Sequence, residues 1–145
     1  MGKSPKEYLR QIRLFDICIK QKEAELAAMR SELENMSAAV TGERVQTSAK
    51  DKMSEKVSHI VDLEAQIIRD KESFLRMKDR IINEIQGLDN SVYVDILYKR
   101  YVEYKQLEEI AVEMNYSYRQ VLRLHGFALQ EFKRWHTMSH SDVVY

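Results

Sequence analysis

The chain has 145 residues, 44% hydrophobic and 32% charged, with 23 basic residues set against 23 acidic ones. That length allows one or two small domains, and a formal net charge of zero excludes attraction to nucleic acid or membrane by the overall field, so any such contact needs a local patch. With one Pro, four Gly and abundant Glu, Lys, Leu, Met and Arg, and no alternating strand-like run, the chain reads as all-α.

In chain order, Ser4-Pro5-Lys6-Glu7 opens the first helix. Ser4 can cap free N–H groups, Pro5 fits the first helical position and Glu7 completes a capping box. One heptad series then reads Ile12, Ile19, Leu26, Leu33, Val40. Its companion reads Tyr8, Phe15, Lys22, Met29, Met36, broken only by Lys22. These are the two seams of a coiled-coil-like helix over about 5–37. The segment from Ser37 to Lys50 interrupts it around Gly42, and Ser48 with Asp51 signals a second cap. A second seam follows: Met53, Ile60, Ile67, Phe74, Ile81, Leu88. Its partner seam is interrupted by Lys56, Asp70 and Glu84, and apolar residues stand beside the first seam at Val61, Ile68, Leu75 and Ile82. Gly87 reads as a C-cap glycine.

Two long helices joined by about a dozen residues predict a long antiparallel hairpin, a coiled-coil-like arm. The doublets make its apolar stripe wider than one partner helix needs, and Leu9, Leu14 and Ile17 are also left over. Ile60, Val61, Ile67, Ile68, Phe74, Leu75, Ile81 and Ile82 are therefore expected to drive self-association into a dimer or tetramer, most simply a four-helix bundle. Packing of that face on the chain's own C-terminal part is the alternative.

After the hinge and cap Asp89-Asn90-Ser91, a short helix is predicted from about Val92 to Val102, with Ile96 and Leu97 inward. The next stretch, EEIAVEMNYSYRQVLRLHG, carries its acid before Asn115 and its base after it. A helix-turn-helix needs a small residue at the helix crossing, a tight turn and an inward apolar face on the second helix. Ala111 supplies the first, between Ile110 and Met114. Asn115, which tolerates a left-handed backbone, supplies the second. Ser117, with Gln120, caps the second helix, whose Val121, Leu124, Ala128 and Leu129 look inward. Ser117, Tyr118, Arg119, Gln120, Arg123 and His125 are then the expected DNA-binding residues. Arg can pair with guanine and Gln with adenine from the first turns of a helix in the major groove. From Ser117 to His136, Arg119, Arg123, Lys133 and Arg134 oppose only Glu131, a net +3 in a neutral protein. Gly126 would cost about 1 kcal/mol inside a helix and permits close approach either to DNA backbone or to the preceding helix. Residues 1–88 are thus expected to form an oligomerisation arm, 89–136 a three-helix head and 137–145 a frayed tail.

The stretch from Leu97 to Phe132, with Arg100-Tyr101, Leu107-Glu108-Glu109-Ile110-Ala111, Ser117, Val121 and Ala128-Leu129, resembles the promoter-reading fourth region of sigma factors. Together with KEYLRQI at the start and TGERVQTS followed by DKM in the middle, it is similar to small phage and prophage transcriptional regulators of Gram-positive bacteria, the RinA- and ArpU-like group. The resemblance spans about 6–132. It implies a regulator that binds double-stranded promoter DNA in the cytoplasm of a bacterial host and touches the host RNA polymerase as the sigma region does. It places the DNA-reading positions at Ser117, Tyr118, Arg119, Gln120 and Arg123. Gln106 departs from the pattern, standing where a Ser or Thr usually caps the first helix of the motif.

The remaining features are weaker. Cys18 excludes an intrachain disulfide and suits a reducing cytoplasm. Nothing at the N-terminus reads as a signal peptide, and no apolar run of about 18 residues exists to span a membrane. The loop TGERVQTS (41–48) reads as a polar hairpin tip, or as a phosphate or partner contact through Arg44. His59, His125, His136 and His140 form no metal spacing with Cys18, so neither metal nor cofactor is expected. Without a Gly-rich phosphate loop, a nucleophile elbow or a Cys–His arrangement, no enzyme is expected. A small terminase subunit, the DNA-recognising part of a phage packaging motor, would use the same parts and is the alternative function. A coiled-coil adaptor without DNA affinity is the third.

Overall fold

A computed structural model describes residues 2–39 and 47–142, with side chains over 2–38 and 48–138. Every regular element among them is helical: α1 (Pro5–Ala39), α2 (Thr47–Gln86), α3 (Ser91–Leu97), a π-helical turn (Tyr98–Val102), α4 (Leu107–Met114) and α5 (Tyr118–Asp142). None is long and apolar enough to cross a membrane. Most of the loop expected at 41–48 lies outside the described residues.

α1 starts as its sequence dictates. The Glu7 N–H donates to Ser4 Oγ at 3.2 Å, and Glu7 Oε2 accepts from the Ser4 N–H at 3.4 Å, so two otherwise unpaired donors are satisfied reciprocally. α2 starts at Thr47, one residue ahead of the expected cap Ser48.

Contacts divide the chain into two compact units, Asp16–Phe74 and the pair Met1–Phe15 with Leu75–Tyr145. This division differs from one at 88/89, because the first turns of α1 and the last of α2 share a core with the residues that follow.

In the unit Asp16–Phe74, Leu26, Ile60 and Ile67 are buried, with Met29, Leu33 and Leu63 packed beside them. The polar breaks in the seams find partners. Lys22 pairs with Asp70 and Lys56 with Glu32, while Arg30 pairs with Glu64 and Lys71 with Glu23. From Lys22 and Glu23 to Arg30 and Glu32, the partners fall from Asp70 and Lys71 to Glu64 and Lys56, so the two segments run antiparallel.

In the other unit, Leu9, Ile12, Ile81, Ile85, Ile96, Leu97, Ile110, Val121, Ala128 and Phe132 are buried, and α3 and α4 both pack on α5. Asn90 caps α3, its Oδ1 accepting from the Val92 and Tyr93 N–H groups at 2.9 and 3.3 Å. The helix expected to reach Val102 does so, but widens after Leu97 into the π-turn, where the Glu103 N–H reaches the Tyr98 carbonyl at 3.1 Å.

Three expectations are corrected here. Gly87 is not a left-handed cap, since no glycine among the described residues has positive φ. A Cβ on it would lie 2.5 Å from the Trp135 ring, so it is the close approach of that indole that needs glycine. Residues 137–142, expected to fray, continue α5. Its inner face carries on through Phe132, Trp135 and His136. His136 Nε2 lies 2.8 Å from Glu84 Oε2, and its ring stacks on Phe132 at 5.5 Å and lies 4.7 Å from Tyr8. The Tyr8 hydroxyl donates to both Glu84 oxygens, at 2.8 and 3.0 Å. Burial first, then that carboxylate, pushes its pKa to about 12, so it stays a donor.

The third concerns the self-association residues. Ile60, Ile67 and Ile81 are buried within the chain itself, as is the leftover Leu9. Phe74 and Ile82 are half-buried. Of the expected self-association residues, Val61, Ile68 and Leu75, at 56%, 60% and 63% exposure, stay open. A heptad line buries the residues facing its own partner helix, and the doublet positions beside it are what remain.

Candidate nucleic-acid interface

Seating α5 begins with the end of α4. Asn115 adopts φ 58° and ψ 39°. Its N–H reaches the Val112 carbonyl at 3.3 Å, while the Tyr116 N–H returns to the Ala111 carbonyl at 3.0 Å. This pair of reversed bonds satisfies carbonyls that a helix end otherwise leaves free. Ser117 then caps α5, its Oγ accepting from the Gln120 N–H at 3.1 Å. Between the two helices, Ile110, Ala111 and Val121 close on Ile96. Leu107, Met114, Tyr116 and Leu124 pack around them. Gln106 makes no side-chain cap on α4, in keeping with its departure from the Ser or Thr pattern; Glu108 and Glu109 sit in the first turn, where acid suits the helix dipole.

The acid of this stretch is partly occupied internally. Glu113 accepts from Lys99 Nζ at 3.0 Å and from Lys105 Nζ at 2.6 Å. Those two lysines, Lys105 foremost, hold its carboxyl below the usual range. Hydrogen bonds to Glu103 and Glu113 raise Lys105 in turn.

The base is not so occupied. Arg119 and Arg123 are exposed and stand one turn apart on α5. Neither has a salt bridge or hydrogen bond among the described residues. Tyr118 is 46% exposed, Gln120 half-buried and Ser117 exposed. The spacing of three and four continues the open row through Gly126, Gln130 and Lys133, all exposed, with Arg134 beside it, 3.7 Å from Glu131. Leu122 and Phe127 flank this row. This extension lies beyond the first turns of the helix, and its spacing 119, 123, 126, 130, 133 is the signal for it in the sequence.

His125 belongs to the opposite side. Expected at the interface, it is only 8% exposed. Its Nε2 shares a 2.9 Å hydrogen bond with the Tyr101 hydroxyl, and the two rings stack at 5.8 Å. Burial, then the charges of Arg100, Lys6 and Arg10, depress its pKa to about 4, so the ring is neutral near pH 7. The reason is rotational: four residues after Val121 and three before Ala128, His125 falls on the buried face. Burial also raises Tyr101 above the ordinary tyrosine range.

Among the described residues no three His, Cys, Asp or Glu side chains cluster as metal ligands. The open row can donate hydrogen bonds and present positive charge along a rod about 10–12 Å across, a fit to a groove about 12 Å wide. Comparison with family models, with curated proteins and with solved structures finds no match to this chain.

Proposed function

We propose that the chain is a sequence-specific DNA-binding regulator of phage or prophage transcription, acting inside a bacterial cell. In this reading α4, the turn at Asn115 and α5 form a helix-turn-helix, and the first turns of α5 enter the major groove. The observation that carries it is the pair of unpaired arginines, Arg119 and Arg123, on the open face of a capped helix whose other face is fully committed to a core. The resemblance to the RinA- and ArpU-like regulators and to the sigma fourth region points the same way, and makes the host RNA polymerase the natural second partner.

Self-association belongs to the same proposal, supported by the open residues Val61, Ile68 and Leu75 on α2. Two copies would carry two reading helices to half-sites about 34 Å, or a multiple of it, apart.

The test is selection of bound duplexes from random DNA, beside sedimentation of the same sample. Inverted repeats and a dimer or tetramer are expected. Arg119→Ala should weaken binding to the selected site by about 1–3 kcal/mol and relax the preference at one position. A chain that enriches no sequence ends the proposal, and rings of about eight or more copies would favour a packaging role.

A further inference from the structure

Two glycines lie at or in helices of the C-terminal part, and the structure accounts for only one. Gly87 has the Trp135 ring against it. Gly126, inside α5, has nothing within 4 Å of the position a Cβ would take, and its φ is not positive. Neither α4 nor any other described element therefore requires glycine there, and the backbone conformation does not require it. Glycine nonetheless weakens a helix interior relative to almost any other residue. Its surface neighbours one turn away are Leu122 and Arg123 on one side and Leu129 and Gln130 on the other. Two turns away lie Arg119 and Lys133. The result is a bare patch of backbone in a row of cations and amides with no acidic residue in it.

Such a row selects a polyanion. A helix that enters a groove by its first turns emerges from it near its middle, where the flanking sugar-phosphate strand comes closest. We infer that Gly126 is the seat of a phosphodiester strand at the lip of the groove, with Arg123 and Gln130 donating to phosphate oxygens on either side. This rests on the DNA-binding reading above, and the outcomes separate the two.

The full-length chain and its Gly126→Ala and Gly126→Leu variants are titrated against two duplexes, one selected by the parent protein and one unrelated duplex of equal length. Each protein is also melted. Gly126→Ala melts about 3 °C higher, since alanine favours the helix. It binds both duplexes about tenfold more weakly, by the same factor on each; Gly126→Leu is weaker still. Unchanged affinity of both variants overturns the inference while leaving the DNA reading intact. A loss confined to the selected duplex overturns it too, since that places Gly126 at a base edge. A parent protein that enriches no duplex in the selection overturns the DNA reading, and this inference with it.

Discussion

The two compact units are cut from the same pair of long helices, yet they bury their residues by different means. In Asp16–Phe74 a single line of side chains, Ile19, Leu26, Ile60 and Ile67, is covered, and ion pairs flank it. Val57, Val61 and Ile68 remain open on the same stretch of α2. In the other unit, side chains as large as Phe132, Leu9, Ile81, Ile96 and Ile110 have no more than 1% exposure. Fully burying such a side chain is worth about 1.5–3 kcal/mol. Two antiparallel helices can cover only one stripe on each other, whereas the ends of α1 and α2 joined by α3, α4 and α5 cover residues on several sides. The difference teaches where stability resides: one unit carries a deep core and the other a single covered line, while both keep apolar side chains on the surface.

The sharpest way to break this comparison is to empty one site in each core. Phe132→Ala should cost about 3–5 kcal/mol and Leu26→Ala about 2 kcal/mol, near the low end of its class, because the thinner core can close over the gap. The protein has one tryptophan, Trp135, 6.5 Å from the Phe132 ring. Its fluorescence in urea reports Phe132→Ala, while circular dichroism reports Leu26→Ala through the long helices. Equal losses would show the two cores to be equally deep.

Acid should act on the richer unit through His125. The His125 pKa of about 4 lies below the ordinary 6.5, so the unfolded chain binds the proton more readily than the folded one. The stability this provides is complete above pH 6.5 and is lost as the pH falls through the folded value near 4. The loss amounts to about 3 kcal/mol at most, from a shift of that size. His125→Phe should remove much of the slope of urea midpoint against pH between about 6.5 and 4. An unchanged slope would place the acid sensitivity in other groups.

Much of this was legible in the sequence because short-range rules decided it. Ser4 with Glu7, Asn90, Asn115 and Ser117 each act within a few residues of themselves, and each caps or turns the chain where its chemistry suggests. The heptad lines gave the buried stripe, and even its breaks were informative, Lys22 meeting Asp70. What was not legible depends on rotation and on distant partners. His125 looked basic and outward by composition, but a helical rotation of about 100° per residue sets it with Val121 and Ala128. Gly87 looked like a cap because glycine usually is one there, and its true reason is an indole from residue 135. Ile60, Ile67 and Ile81 looked available to a second copy, because a stripe alone does not say which half of its width is covered internally.

Gly87→Ala tests that distant partner. The added methyl would lie 2.5 Å from the Trp135 ring, so the ring must move, at a cost of about 1–3 kcal/mol. With Trp135→Leu in the background, the same change should cost less than about 1 kcal/mol, or even stabilise the end of α2. A penalty of equal size with and without the indole would return Gly87 to a backbone role.

The smallest effect probes the thinner unit. Lys22 and Asp70 pair where the two seams break, with side chains partly open to solvent at 30% and 25%. A double-mutant cycle with Lys22→Ala and Asp70→Ala should give a coupling of about 0.5–1 kcal/mol, reduced by salt. Replacing both by Leu should instead stabilise the helices, since a buried apolar pair usually matches or exceeds an ion pair of the same volume. It should also cost something the melting curve does not read. With Lys22 and Asp70 gone, the apolar line runs unbroken through α1, and a shift of one heptad along α2 no longer sets either of these two charges against an apolar residue. Disulfide trapping in two Cys18→Ser variants, one with cysteines at positions 29 and 63 and one with them at 29 and 56, would detect it: only the first pair closes in the parent chain, and both close in the Leu–Leu chain. A Leu–Leu chain that traps in a single register would show that the apolar residues alone align the helices.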